Sequence, residues 1–209
     1  MTPISQPPFA DAESKKTDAR VSSRVQTLLD ELLSQPCPFE PSKQVRQTHV
    51  VFRGVDLLEV NGKERSDLSI AWLTQNQPDL FSNTYHRDLY TQDFTKREID
   101  AQSCYLVYLG PLGQDQATNY EDQVALLPHH YRSAYAVEAV MALAAYKNRN
   151  ECFPSGKFRW GWCSESLDAE QATHIAVSVA GCSTLKFDEL PNERVRANRG
   201  IVAVRTYSA

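Results

Sequence analysis

The sequence predicts an α+β fold: an antiparallel sheet packed around one buried apolar helix, with a helical arm ahead of it. Three observations carry that expectation. Residues 133–149, SAYAVEAVMALAAYKNR, form a helical pattern in which Glu138 is the only charge between Ala134 and Tyr146. A helix apolar on every face is normally covered on every face, and this one is shorter than the roughly 20 apolar residues a bilayer takes. Strand-like runs gather before and after it instead of alternating with further helices, which is the α+β arrangement rather than βαβ. Finally, an amphipathic segment stands near the start of the chain, set off by prolines.

Residues 1–19, rich in Pro, Ser and charge, read as a disordered or docking arm, with residues 20–209 as a single α+β domain. Within that domain, Val21, Val25, Leu28, Leu29, Leu32 and Leu33 recur at helical spacing and predict an amphipathic helix over 21–34. Pro36, Pro38 and Pro41 make residues 36–41 a stiff connector. The β-branched run His49–Val60 predicts a strand, closed by the turn pair Asn61-Gly62. Residues 66–76 read either as the return strand of a hairpin, with Leu68, Ile70 and Trp72 on one face, or as a helix capped by Ser66. Asp67 and Pro78 favour the helix. Residues 76–102 are polar and loop-like, with a capping-box pattern at Thr95 and Glu98. Cys104–Leu109 is a strand stopped by Gly110-Pro111, and Lys157–Ser164, Thr173–Ala180 and Ile201–Tyr207 are three more.

The totals describe an ordinary water-compatible chain of 209 residues, 42% hydrophobic and 23% charged, with a net charge of −4. That charge argues against nucleic-acid and anionic-membrane partners. The halves differ, however: residues 61–125 hold 10 acidic and 5 basic side chains, residues 126–209 hold 8 and 10. Five cysteines (Cys37, Cys104, Cys152, Cys163, Cys182), an odd number without an apolar leader in the first 20 residues, suggest free thiols and a cytoplasmic location.

Chemistry is sparsely signalled. No close pair of Cys or His has the spacing of a zinc site, and His129-His130 are adjacent, so neither metal nor cofactor is expected. Cys163 lies in Arg159-Trp-Gly-Trp-Cys-Ser164, and His174 starts the next strand; adjacent strands would let an imidazole hold the thiol as thiolate, with Asp168 or Asp188 orienting it. The competing reading makes Cys163 a packed core residue. Lys157–Trp162 interleaves bases and aromatics as a base-stacking strand would, with Arg194, Arg196 and Arg199 adding charge. Simple alternation also explains it, with Phe158, Trp160 and Trp162 directed into a core. Val25, Leu28 and Leu32 on the arm helix are candidates for partner binding, although short helices mostly pack at home.

Asn150, Cys152 and Phe153 after the helix, then Gly161-Trp162-Cys163, then Cys182, follow the order N-x-C-F, G-W-C, C. In this the stretch 104–185 resembles an uncharacterised bacterial domain family without an established activity. The resemblance implies a shared domain and no function. The missing catalytic and metal signatures leave, as the leading expectation, a cytoplasmic non-enzymatic protein acting through a protein partner or its own copies. A small Cys–His hydrolase or transferase and a single-stranded nucleic-acid binder are the alternatives.

Overall fold

A computed structural model describes residues 27–54, 59–60, 63–64, 68–82, 87–101, 103–108, 110, 119–154, 160–168, 170, 173–180, 184–191 and 199–207. The expected arm 1–19, Val25, Ser66, Cys182, Arg194 and Arg196 lie outside them, as do Asn61-Gly62 and 157–159. In chain order the strands are β1 (His49–Arg53), β2 (Glu59–Val60), β3 (Lys63–Glu64), β4 (Cys104–Tyr108), β5 (Arg132–Ser133), β6 (Trp160–Ser166), β7 (Thr173–Ala180), β8 (Thr184–Pro191), β9 (Arg199–Ile201) and β10 (Ala203–Tyr207). The α-helices are α1 (27–34), α2 (Ile70–Asn76), α3 (Tyr120–Ala125) and α4 (Ala136–Asn150).

The fold is α+β and centred on the apolar helix, but that helix is covered by two sheets rather than one. Sheet I runs β1-β4-β10-β5 and is antiparallel throughout; sheet II runs β8-β7-β6-β9, and its β6–β9 pair is parallel. Helix α4 contacts β1 and β4 on one side and β6 and β7 on the other. Ten successive residues, Ala136 to Ala145, are buried. Val50, Phe52, Val107 and Val204 from sheet I share one hydrophobic cluster with Cys163, Ile175, Val177 and Phe187 from sheet II. The alanines keep the helix slim enough for both layers to approach it. The helix ends at Glu151, a non-glycine residue in the left-handed region (φ 62°).

The run 201–207 is two strands, not one. Ile201 finishes β9 in sheet II and Ala203 begins β10 in sheet I, with fully buried Val202 between them. Its N–H donates to the Trp162 carbonyl (3.1 Å) and its carbonyl accepts from Ala134 N–H (2.8 Å), while Ser164 N–H donates to the Ala134 carbonyl (2.8 Å). Both sheets and the approach to α4 are therefore pinned at one point by backbone hydrogen bonds shielded from water.

Other expectations are corrected locally. The stretch His49–Val60 splits into β1 and β2, and β2 pairs with β3 in the register Val60↔Lys63 across the expected turn. Residues 70–76 are helical, as favoured, but the cap is Ser69, whose hydroxyl accepts from Trp72 N–H (3.1 Å). Thr95 caps no α-helix: it sits inside a 3-10 turn, Asp93–Lys96, and its hydroxyl donates to the Gln92 carbonyl (2.7 Å). The proline connector doubles back on itself, with Cys37 N–H donating to the Lys43 carbonyl (2.7 Å) and a bridge between Pro36 and Gln44. Gly54 lets β1 leave its sheet where a β-carbon would lie 2.4 Å from Ala101 Cα.

Because α4 is enclosed on both sides, Val140→Asp or Ala142→Asp (both 0% exposed) should leave the chain unfolded or aggregated. An unpaired buried carboxylate costs several kcal/mol, against a typical total stability of ~5–15 kcal/mol. Thermal melting checks this, and a variant that melts within a few degrees of the parent would remove α4 from the centre of the fold.

Candidate functional site

The thiol and imidazole singled out in the sequence are not brought together. Cys163 packs in the α4 cluster with Ile175 and Val177. His174 precedes Ile175 on the same strand, so it projects from the opposite face of sheet II. There it stacks on Tyr120 (ring centroids 3.8 Å apart), beside the cluster holding Trp162, Ala176 and Leu190. Cys163 is fully buried, and burial pushes its thiol well above the ordinary value. Thiolate chemistry needs the reverse shift. Trp162 is fully buried as well, so its ring offers no surface to a base. Of the residues in the family-like motif, Phe153, Trp162 and Cys163 are core residues, whereas Asn150 and Cys152 are exposed. Among the described residues no group of three His, Cys, Asp or Glu is placed to hold a metal ion. No helix there is long and apolar enough to cross a membrane.

Two surfaces remain as candidates. The first is a groove of about 260 Å³ between α1 and the outer face of sheet I. Leu28, Leu29, Leu32, Cys104 and Tyr207 line it, and Glu31 and Arg205 lie at its polar margin. Helix α1 is seated by Leu29, Leu32 and Leu33 against Val45, Cys104 and Leu106, while Leu28 stays 58% exposed. Two of the three residues expected to bind a partner, Leu28 and Leu32, therefore border one concavity.

The second is an open cleft of about 680 Å³ where the turn 93–96 faces the end of β6. Gln92, Asp93, Phe94, Lys96 and Arg97 form one wall; Glu165, Ser166 and Leu167 form the other. Glu165 lies on the α4 side of β6, in the stretch Trp162–Ser166 where the register with β7 shifts. The pinning at Ala134 then sets the first turn of α4 directly against it. Ala136 N–H donates to Glu165 Oε2 (2.8 Å), so a carboxylate from another element caps the helix. Oε1 of the same group is buried and has no hydrogen-bond partner among the described residues; it pairs with Arg97, whose Nε is 3.9 Å away. The Arg97 guanidinium lies 3.7 Å above the Tyr135 ring. Behind the cleft, Glu138 accepts Tyr135 N–H (2.8 Å) and pairs with both terminal nitrogens of Arg132 (2.8 and 2.6 Å). Burial lifts the Glu165 carboxyl to about 7, against the pull of the Ala136 N–H and Arg97, with Glu138 adding to the rise.

None of these cleft residues was legible as a site. One signal was present: if Cys163 faces the core, Glu165 two residues on faces it too, and a carboxylate there needs a reason. On the far side of sheet I, His49 Nε2 lies 3.0 Å from the Tyr131 hydroxyl, and burial lowers its imidazole to about 4. The chain matches no protein-family model, no curated protein and no solved structure.

Two outcomes follow from this chemistry. Iodoacetamide at neutral pH should label exposed Cys152 first and Cys163 last among Cys37, Cys104, Cys152 and Cys163; rapid labelling of Cys163 would restore it as a nucleophile. Glu165 titrates near 7 when folded and near 4.5 otherwise, so the folded state holds more protons between those values. Its contribution to stability accordingly falls as pH rises through that window. His49 acts in the opposite sense, its contribution being lost as pH falls from 6.5 toward 4. Glu165→Gln removes only the first effect. Its stability relative to the parent should climb across the Glu165 window, by at most about 3 kcal/mol. Urea unfolding at stepped pH measures this, and a flat difference would mean that Glu165 titrates normally.

Proposed function

We propose that this is a cytoplasmic protein that acts by binding another protein, through the groove between α1 and sheet I. The observation that carries the reading is Leu28, a large aliphatic side chain left more than half exposed beside an apolar concavity. Leu28, Val124 and Leu126 are the exposed large hydrophobic residues among those described. Of the three only Leu28 borders the concavity, which suits a short segment of a partner that inserts one aliphatic or aromatic anchor, the arrangement in which a few residues supply most of the affinity. The thiols of Cys37, Cys104, Cys152 and Cys163 fit a reducing compartment. Neither alternative from the sequence gains support: the Cys–His reading needs two side chains that face apart, and the nucleic-acid reading needs an accessible Trp162.

A photo-cross-linking residue placed at Glu31, on the exposed margin of the groove, tests the proposal in the native source. It should capture a discrete partner identifiable by mass. That partner, purified, should bind the parent and lose at least about tenfold in affinity with Leu28→Asp, close to 1.4 kcal/mol. Cross-links confined to other copies of the chain would replace partner binding with self-assembly. Binding unaffected by Leu28→Asp would place the contact elsewhere.

A further inference from the structure

The groove between α1 and sheet I has a cation at its margin with no anion beside it among the described residues. On β10, Val204 faces α4, so Arg205 and Tyr207 project from the outer face of the sheet, beside α1. In the register with β4 they stand opposite Leu106 and Cys104, which Leu29, Leu32 and Leu33 of α1 help to cover. Arg205 is thereby half-buried, between the apolar floor of the groove and solvent. Its guanidinium lies 4.6 Å from the centre of the Tyr207 ring. Burial raises the phenols of Tyr131 and Tyr207 and Arg205 pulls both down, so the groups its charge acts on are neutral ones.

Several other cations are matched. Lys43 pairs with Glu40, Lys96 with Asp93, Arg97 with Glu165 and Arg132 with Glu138, and Arg46 donates to the Leu33 carbonyl (3.3 Å). Arg205 has neither an ion pair nor a hydrogen bond among the described residues. Glu31, on the α1 margin of the same groove, is exposed and does not pair with it. A guanidinium stacked on an aromatic ring is an oriented fork that matches two oxygens of one carboxylate. Half withdrawn from water, it gains more from such a partner than a fully exposed cation does. The rest of the wall is apolar, from Leu28, Leu29, Leu32 and Cys104. Glu31 repels an acid from the α1 margin, so only the β10 side accepts one.

We propose that the partner segment docked in this groove is acidic as well as apolar: an aliphatic or aromatic anchor enters beside Leu28 and Leu32, and a neighbouring Asp or Glu side chain of the same segment pairs with Arg205. The inference rests on the reading of this groove as a docking site and names the chemistry of its occupant. The anchor supplies most of the affinity. The ion pair selects among apolar segments and sets the direction in which they lie.

A displayed library of short random peptides, flanked on both sides by a neutral spacer, tests this against the full chain. Peptides retained by the parent but not by Leu28→Asp report the groove. They should be enriched in Asp or Glu at a fixed distance from a Leu, Ile, Phe or Trp. In the tightest of them, synthesised separately, changing the acid to its amide should cost about tenfold in affinity for the parent and little for Arg205→Gln. Arg205→Glu should turn the enrichment from acidic to basic. Should either variant fail to fold, the amide change in the peptide decides alone, because it leaves the protein untouched; equal affinity of acid and amide for the parent would overturn the proposal. Leu28-dependent peptides with no preference for an acid would overturn it too and leave the docking reading standing, whereas a library with no Leu28-dependent peptide would overturn both. Self-association of the parent that Leu28→Asp abolishes would make a second copy the occupant and overturn the proposal, as would enriched peptides that reproduce a stretch of residues 1–26.

Discussion

A helix with no polar side has to be enclosed, and the rest of this structure follows from that requirement. Ala136 to Ala145 are buried without a break, so one sheet could cover only part of the circumference. A second layer is imposed by the hydrophobic effect rather than by any local sequence signal. The two layers must then be held at a fixed separation. The chain achieves this by sending Val202 from one sheet into the other and bonding it to Trp162 and Ala134 on the way.

That crossing also determines what stands at the start of α4. Ala134 is fixed to β6, so the first free amide of the helix meets the next inward-facing side chain of that strand, which is Glu165. A polar group is drawn into the wall of the core because a helix N-terminus needs an acceptor and water is excluded there. Burial raises the carboxyl, and a second carboxylate, Glu138, is held close by through its paired hydrogen bonds with Arg132. The cleft inherits its chemistry from the way the helix is anchored. The groove beside α1 has a different origin: it is what remains of the outer face of sheet I after Leu29, Leu32 and Leu33 have covered Val45, Cys104 and Leu106.

Elements with one unbroken pattern were legible in the sequence. Helix α4, strand β4 and strand β7, whose limits Thr173–Ala180 agree at both ends, carry uniform apolar or alternating runs. Strand β8 was not legible because Lys186, Asp188 and Glu189 interrupt its apolar residues: Leu185 and Phe187 face α4, and Leu190 lies on the opposite face as alternation requires. Nor can alternation say which strands share a sheet. Ile201–Tyr207 reads as a single run, and only the three-dimensional path shows that Val202 divides it. The cleft was illegible for a similar reason, since Arg97 and Glu165 are far apart in sequence and form no motif. The Cys–His pairing failed on parity: 163 and 174 sit on neighbouring strands, but their side chains leave the sheet in opposite directions.

The position of Val202 along the chain gives the fold a timetable. Strand β10 lies between β4 and β5 in sheet I, and β9 flanks β6 in sheet II, so residues 199–207 complete both layers at once. Until they are in place, β4 lacks its β10 partner, Ala134 lacks the Val202 carbonyl that accepts its amide, and α4 has an unfinished cover. Closing contacts this distant in sequence are slow to form. A chain folded only as far as β8 therefore leaves its most apolar segment partly uncovered until residues 199–207 join the two sheets.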